Sequence, residues 1–303
     1  MTVLPSLLAR KVHNMLDIVI ETRPHDLGGG FEVGRVLPFR QRRTVGPFVF
    51  FDRMGPHTLP APVPMELDVR PHPHIGLATV TYLFQGEMTH RDSLGVEQVI
   101  RPGALNWMMA GSGISHSERF DGMRKNGGVI DGIQAWVALP EANEEDPPSF
   151  EHMPPDALPV FDEAGWQGRL IAGSAYGRQS PAPVCSPLFY VHVQSAGGAR
   201  VPLPEGHTER ACYIAGGQVE YDGQRYQAGQ MLVFAPEAHG ALHTTENAQL
   251  MLLGGEPLGT RHIWWNFVSS SKERIEQAKA DWQAGRFKLP PYDNETFIPL
   301  PQA

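Results

Sequence analysis

Two short motifs in the first half of the chain place metal-ligating residue types at a regular spacing. His72 and His74 are two residues apart, so both imidazoles point to the same side if the chain is extended there. Pro73 lies between them and cannot donate a ladder hydrogen bond, which indicates the start or edge of a strand. His116 and Glu118 repeat the spacing after a glycine-rich turn. Two such strands side by side would direct three imidazoles and one carboxylate to a single point.

This set of donors predicts a site for one divalent transition metal. Neutral imidazole with one carboxylate suits Fe(II), Ni, Cu, Mn, Co or Zn, and four protein ligands leave coordination positions open for a substrate or O₂. The predicted ligands are His72, His74, His116 and Glu118.

Other residues near the motifs receive plainer interpretations. Most of the 13 histidines are expected to be solvated or hydrogen-bonded, and one His-x-His pair alone often arises by chance. His90 follows Gly86, where the chain should turn outward, so we predict that it lies behind the ligands or on the surface. Trp107 and the two methionines after it would fit a pocket wall, but so apolar a strand is more often core.

The segments that must position the ligands have the composition of short β-strands. The chain has 32 glycines and 28 prolines, which favours short strands joined by turns over long helices. Runs rich in Val, Tyr, Phe and Thr recur in both halves, including LATVTYLFQGEMTH, GIQAWVALP, LFYVHVQS and QRYQAGQMLVFAP. The pattern predicts an all-β sandwich or barrel architecture. One helix is predicted over 271–284, with Ser270 as its N-cap and Glu273 completing a capping box.

The chain divides into two predicted domains. The segment 140–149 is acidic and proline-flanked, as linkers often are. A weak internal repeat relates the run beginning at Tyr82 to the run beginning at Tyr213, which indicates two copies of one fold. We predict an N-terminal metal-binding domain over residues 1–145 and a C-terminal domain without metal over residues 146–303.

The motif spacings resemble those of the cupin superfamily, and within it the pirin family. The first cupin motif, H-x-H with a glycine twelve residues later, is met by His72, His74 and Gly86, and the second, G-x-x-H, by Gly113 and His116. The usual cupin glutamate is replaced by Ala78 or Thr79, and a glutamate stands two residues after the last histidine instead, as in pirins. The runs PHPHIG, PGALNWMMAGSGISHSE, GGEPLG, WWNFV and FIPLP extend the resemblance over almost the whole chain.

The resemblance implies two tandem cupin β-barrels (a jelly-roll bicupin) with a short C-terminal helix and metal only in the first barrel. In the second barrel Pro202 and Pro204 stand where the paired histidines should be, and His207, His239 and His243 do not have the required spacing. Fe(II) is the metal that the family resemblance favours.

Two functions of different classes are compatible with this resemblance. The first is a dioxygenase similar to quercetin 2,3-dioxygenases, acting on a flavonol or related hydroxylated aromatic with O₂, in which Glu118 is both ligand and catalytic base. The second is an iron-dependent, redox-sensing interaction protein that modulates a transcription regulator or enzyme partner. A third is a ligand-binding cupin that uses the metal as a structural clip. Shared fold and ligands do not separate them.

Composition excludes several other classes. A net charge of −8 argues against direct binding to nucleic acid or an anionic membrane, and no run of 18 apolar residues is present. The two cysteines, Cys185 and Cys212, have neither a metal nor a redox spacing, which favours a reducing cytoplasm. The expected form is a monomer.

Overall fold

Strands make up nearly all of the regular structure in residues 15–301, the part of the chain that this computed structural model describes. The strands of the first half are β1 (Leu16–Glu21), β2 (Arg23–Asp26), β3 (Glu32–Leu37), β4 (Phe48–Leu59), β5 (Val69–His74), β6 (Leu77–Gln85), β7 (Met88–Asp92), β8 (Glu97–Ile100), β9 (Leu105–Met109), β10 (Ile114–Arg119), β11 (Gly128–Ala138) and β12 (Ser149–Met153).

The second half continues with shorter strands and ends in one α-helix. Its elements are β13 (Val160–Glu163), β14 (Trp166–Ala175), β15 (Arg178–Gln179), β16 (Leu188–Ser195), β17 (Arg200–Pro202), β18 (Glu209–Gly216), β19 (Gln218–Tyr221), β20 (Gln224–Gln227), β21 (Gln230–Phe234), β22 (Ala241–Thr244), β23 (Ala248–Gly255), β24 (His262–Trp264), β25 (Phe267–Ser269) and α1 (Lys272–Gln283). Four single 3₁₀ turns span Met65–Leu67, Asp121–Met123, Glu141–Asn143 and Pro155–Ala157.

Each half forms a large antiparallel sheet packed against a small one. In the first half the order is β12-β9-β6-β11-β4-β3-β2 in the large sheet and β5-β10-β7-β8 in the small sheet. In the second half the orders are β1-β21-β18-β23-β16-β14-β13 and β17-β22-β19-β20, with β15 beside β14. The predicted all-β architecture of two tandem barrels and one C-terminal helix is confirmed.

The two large sheets pack face to face and create the main hydrophobic core. Alternate residues of β6, such as Val80 and Tyr82, pack there against residues of the second barrel such as Tyr190 and Leu253, all of them buried. The other face of each large sheet covers its own barrel interior, so central strands such as β6 are buried on both faces. This double burial explains why every residue of β6 from Leu77 to Leu83 is buried, including the polar Thr79 and Thr81.

Two strands cross between the halves. Strand β1 pairs with β21 in the second large sheet, and β12 pairs with β9 in the first. Hydrogen bonding therefore ties each half of the chain to the sheet of the other, and the division into 1–145 and 146–303 stays a prediction.

The helix lies where the sequence predicts it, but its cap is one residue later. Ser271, not Ser270, is the N-cap, and its hydroxyl accepts from the Arg274 N–H at 3.2 Å. Ser270 is not free to cap because its N–H and its hydroxyl both donate to the buried Glu144 carboxylate. At 12 residues the helix is short, and no helix within residues 15–301 is both long and apolar enough to cross a membrane.

Residues 262–300, which we call the C-terminal strap, return to pack on the first barrel. Ile75 and Phe267 form an isolated parallel bridge, and Val268 N–H donates to the Ile75 carbonyl at 3.2 Å. Trp282, on the apolar side of α1, is buried in one hydrophobic cluster with Ile75 and Phe267. Near the end of the chain, Ile298 N–H donates to the Pro71 carbonyl at 2.8 Å. The last segment of the sequence thus contacts the strand that carries the first histidine pair.

Candidate metal centre

The two motif strands are neighbours in the small sheet of the first barrel. Strands β5 and β10 are antiparallel, with His116 opposite His72 and Ile114 opposite His74. The register shifts between His116 and Glu118, so Glu118 lies opposite Val69. Such an irregularity re-aims the side chains that follow it. The predicted adjacency of the two motifs is confirmed.

Three imidazoles converge inside the barrel. The rings of His72 and His116 lie 4.4 Å apart between centroids, those of His72 and His74 5.0 Å, and those of His74 and His116 5.1 Å. One ring nitrogen from each residue lies within 4.8 Å of the other two. All three side chains are buried, at 6%, 1% and 1% exposure for His72, His74 and His116.

Backbone carbonyls determine which nitrogen of two of these rings carries the proton. His72 Nδ1 lies 2.9 Å from the Arg70 carbonyl oxygen, and His74 Nδ1 lies 3.0 Å from the Asn266 carbonyl oxygen. A carbonyl oxygen only accepts, so Nδ1 must donate in each ring. In the neutral rings Nε2 is then the nitrogen with the free lone pair.

The third ring offers the observation that tests whether a metal fits. His116 Nε2 is buried and has no hydrogen-bond partner within residues 15–301, although buried polar atoms are almost always paired. A metal ion bound by the three Nε2 atoms would satisfy it. Three imidazoles form a donor set suited to divalent transition metals, so the residues fit such an ion.

Burial keeps these rings in the form that can bind metal. Desolvation lowers the pKa of His72 to about 4 and lowers the pKa of His74 and His116 well below the usual value. The imidazoles are therefore neutral at neutral pH, as a metal ligand must be.

Glu118 lines a cavity that His72 and His74 also line, but its carboxylate is not part of the close group formed by the three histidine nitrogens. Gln134 Nε2 donates to Glu118 Oε1 at 3.1 Å, and Thr81 donates to Gln134 Oε1 at 2.7 Å, which fixes the direction of that amide. Burial raises the pKa of Glu118 to about 7. The carboxyl group is thus poised to take or give a proton near neutral pH, and its role as a metal ligand stays a prediction.

The cavity beside the histidines has a volume of about 420 Å³, and its walls combine aromatic rings with aliphatic and polar side chains. Phe50 and Trp136 stack at 4.0 Å between centroids, and Trp136 meets the His74 ring edge-on at 5.1 Å. Arg35 lies over the Phe50 ring and forms a bidentate ion pair with the buried Asp52, with distances of 3.0 and 2.8 Å. The cavity therefore combines flat apolar surfaces with a few fixed polar groups, as small-molecule sites do.

The C-terminal strap supplies part of this cavity wall. Trp265, Asn266 and Ile298 line it, at the end of the chain most distant in sequence from the motifs. Trp265 and Asn266 form the turn between β24 and β25, and Trp265 has a φ of +51°. A bulky residue in that conformation costs about 1–3 kcal/mol of strain. Such strain persists only where the surrounding structure holds the turn in place, and it is commonest at functional sites. The turn places the Asn266 carbonyl against His74.

The strap also holds the outer face of β10. Side chains alternate along this strand, so Ser115, Ser117 and Arg119 point away from the side that carries His116. Ser115 donates to the Lys288 carbonyl, and Ser117 donates to Asp293 Oδ2 at 2.6 Å. Arg119 donates to both oxygens of Asp293, at 2.7 and 2.6 Å. Strand β10, which carries His116 and Glu118, is thereby held by the strap on its outer face.

Sequence reasoning found the converging imidazoles and missed much of what surrounds them. His90 is buried against His116, one of the two places predicted for it. Trp107 and Met108 are core residues, as the plain interpretation expected, and Met109 is half-buried. The cavity residues Gln134 and Trp136 were overlooked, although their alternate spacing on one strand was a usable signal. The runs WWNFV and FIPLP marked the strap only as part of the family resemblance, and no local pattern placed Trp265, Asn266 or Ile298 beside the cavity.

A pair of jelly-roll barrels defines the bicupin class, and within residues 15–301 the three-histidine cluster that could hold a metal lies in the first half. Two family models match the chain: Pirin over residues 30–137 and the Pirin C-terminal cupin domain over residues 190–288. The chain belongs to the pirin family.

Named relatives agree with this assignment. A pirin-like protein of Caulobacter vibrioides is 57% identical over 95% of this chain and 100% of its own length. A Pseudomonas aeruginosa protein named as a candidate quercetin 2,3-dioxygenase is 37% identical over 88% of this chain and 83% of its own. The crystal structure of quercetin 2,3-dioxygenase from Acinetobacter baumannii matches with a TM-score of 0.86 at 32% identity, covering 94% of this chain and 95% of that one.

Proposed function

We propose that this protein is a metal-dependent dioxygenase that acts on a flavonol or a related hydroxylated aromatic. The observation that carries the proposal is the convergence of three neutral imidazoles beside a cavity that also contains a protonatable carboxyl group and aromatic surfaces. A structural metal site has no need of an adjoining cavity or of a nearby base. The names of two relatives with high coverage, quoted above, support the same reaction class.

The protein's own residues would hold the metal and leave one side of it facing the cavity. We propose His72, His74 and His116 as ligands through Nε2, with Glu118 as a fourth ligand or as a neighbour that moves between metal and substrate. Fe(II) is the metal we propose on the family resemblance, while Ni, Cu, Mn, Co and Zn also suit this donor set. When bound, such a metal supplies Lewis-acid and redox chemistry toward a hydroxylated ring and O₂.

The cavity would orient a flat ring. At about 420 Å³ it lies within the usual range for small-molecule sites, roughly 300–1,000 Å³. The stacked pair of Phe50 and Trp136 offers an aromatic surface beside His74, where a planar substrate would bury its faces. Closure of the cavity by the strap would exclude water from the reacting groups.

Glu118 would take the proton from a substrate hydroxyl. Its pKa near 7 is close to the operating pH, which is favourable for a general base. Gln134 would hold the carboxylate through Oε1 and leave Oε2 for the substrate or the metal. Removal of the base should therefore affect turnover more than metal content.

The test combines metal analysis with flavonol turnover on the same sample. Protein purified without oxygen should contain close to one equivalent of a transition metal and should consume flavonol under air, followed by absorbance. Glu118→Gln should keep much of its metal, since three histidines remain, and lose turnover per metal by roughly 100-fold or more.

Two outcomes would contradict parts of this proposal. A wild-type protein that carries its metal and turns over no hydroxylated aromatic would favour the redox-sensing interaction protein. Full activity of Glu118→Gln per metal would leave the dioxygenase in place and remove the proposed base.

A further inference from the structure

Behind His116, two buried side chains form a hydrogen-bonded line that ends in a carboxylate. His116 Nδ1 lies 3.3 Å from His90 Nδ1, and His90 Nε2 lies 3.0 Å from Asp92 Oδ2. Strand β7 pairs with β10 in a register that places Asp92 opposite His116. Asp92 is completely buried and His90 is 5% exposed, so water does not compete for these hydrogen bonds.

The direction of each hydrogen bond follows from the chemistry of the last group. The Asp92 carboxylate only accepts: its Oδ1 takes the N–H groups of Leu94 and Val96 at 2.9 and 3.2 Å. His90 must therefore donate from Nε2 to Oδ2, and in a neutral ring its Nδ1 must accept. His116 then donates from Nδ1, which leaves its Nε2 lone pair directed at the other two histidines.

We infer that Asp92 and His90 are positioning residues that set the tautomer and ring orientation of His116 as a metal ligand. The inference rests on the three-histidine metal centre proposed above, but not on its reaction. Phe150 stacks on the His90 ring at 4.4 Å and 19°, which fixes the plane of the middle member. Groups that hydrogen-bond to ligand histidines commonly strengthen metal binding in this way.

His116 differs from His72 and His74 in the kind of group that orients its ring. His72 and His74 are oriented by backbone carbonyl oxygens, which no side-chain substitution removes. Only His116 depends on a line of side chains. The three-histidine centre therefore has one ligand whose orientation a distant, conservative substitution can reverse.

The substitution Asp92→Asn tests this dependence with almost no change of shape. Its amide oxygen should stay on the N–H groups of Leu94 and Val96, because an NH₂ group there would meet two donors. The amide nitrogen would then donate to His90 Nε2 and move the His90 proton to Nδ1. His116 Nδ1 would have to accept, which places its own proton on Nε2, where the metal should bind.

The measurement is zinc binding to metal-free protein by competition with a chelator. Asp92→Asn should weaken binding by roughly 10- to 100-fold, the usual effect of removing such a partner. Glu97→Gln is the matched control, since it removes an exposed carboxylate from the adjacent strand β8 and should bind zinc like wild type. Equal zinc affinity of Asp92→Asn and wild type would overturn the inference.

A double-mutant cycle separates this line from a structural role of Asp92. In a His90→Phe background, Asp92→Asn should cause no further loss of zinc affinity, because the line is already broken. The same loss in both backgrounds would mean that Asp92 acts only through its local turn, and the inference would fail.

Nitrogen-15 NMR of the metal-free protein reads the tautomer directly. His116 should carry its proton on Nδ1 in wild type and on Nε2 in Asp92→Asn; no change of tautomer would overturn the inference. A wild-type protein that binds no zinc would refute the metal centre itself, whereas flavonol turnover plays no part in these outcomes. The two proposals can therefore fail separately.

Discussion

The two barrels have the same arrangement of sheets and differ in what fills them. In the first, the strand pair β5–β10 directs imidazoles toward a cavity of about 420 Å³. In the second, the pair β17–β22 places Val201 opposite Leu242, and both are fully buried in an apolar core. The interior of the second barrel is thus filled by apolar side chains, whereas the interior of the first contains a cavity bordered by buried polar residues that ordinary cores exclude.

The comparison shows how a stable protein can contain a cavity that is partly lined by polar side chains. The filled barrel packs its large sheet against that of the open barrel and forms the main core with it. The strap covers the open barrel from the other side. The packed sheets and the strap stabilise the protein, whereas the residues proposed for metal binding and catalysis line the interior of the first barrel or lie beside its cavity.

The largest expected effect is loss of metal from the open barrel. His72→Ala and His116→Ala should each weaken metal binding by 100-fold or more, because each removes one of three converging nitrogens. Metal analysis of the purified variants, with circular dichroism to verify folding, measures this. His243→Ala, on strand β22 of the filled barrel, is the control and should retain wild-type metal; near-stoichiometric metal in either ligand variant would refute the assignment.

A second expected effect concerns the stability of metal-free protein as a function of pH. Burial raises the pKa of Glu118 to about 7, so between about pH 4.5 and 7 the native state binds a proton that the unfolded chain has lost. The titration of Glu118 therefore lowers the free energy of unfolding as pH rises through this window. Glu118→Gln has no such proton and should be more stable than wild type at pH 8, by roughly 3 kcal/mol.

Urea unfolding of both metal-free proteins at pH 5 and pH 8 tests this expectation. The buried imidazoles are common to both proteins, so the difference isolates Glu118. A stability difference that stays constant between the two pH values would contradict the account.

A smaller effect is expected where the strap holds the ligand strand. Asp293→Asn should destabilise the protein by about 1.5–3 kcal/mol, because Arg119 loses a charged, bidentate partner. Metal affinity should fall as β10 loosens, by less than in the ligand variants. Thermal unfolding measures the change in stability, and chelator competition measures the change in metal affinity. Glu276→Gln is the control, because it removes an exposed carboxylate that pairs with Lys279 on α1. Unchanged metal affinity would mean that the strap is not needed to hold β10.

The smallest expected effect is in the filled barrel, which we predict to take no metal. Total tightly bound metal should not exceed one equivalent per chain, and His207→Ala should not change it, since this side chain is hydrogen-bonded to the Ser174 carbonyl. A second equivalent of tightly bound metal that disappears in His207→Ala would contradict the prediction that the second barrel binds no metal.

The site could be predicted as far as local periodicity reaches. Strand residues alternate between faces, so His72 with His74 and His116 with Glu118 indicated one shared face before any fold was known. The composition and the turn residues likewise indicated an all-β fold. The helix was predicted well because its apolar stripe is local, and only its cap depended on a distant residue, Glu144.

The sequence by itself determined the family and the types and spacing of the residues of the proposed metal site, because each depends on residues close together in the chain. Tertiary structure alone decided which groups orient those residues. His74 is oriented by Asn266, 192 residues away, and Ser117 is held by Asp293, 176 residues away. Contacts over such separations leave no periodic trace in the sequence, since they depend on how the strap returns to the first barrel once both barrels have packed.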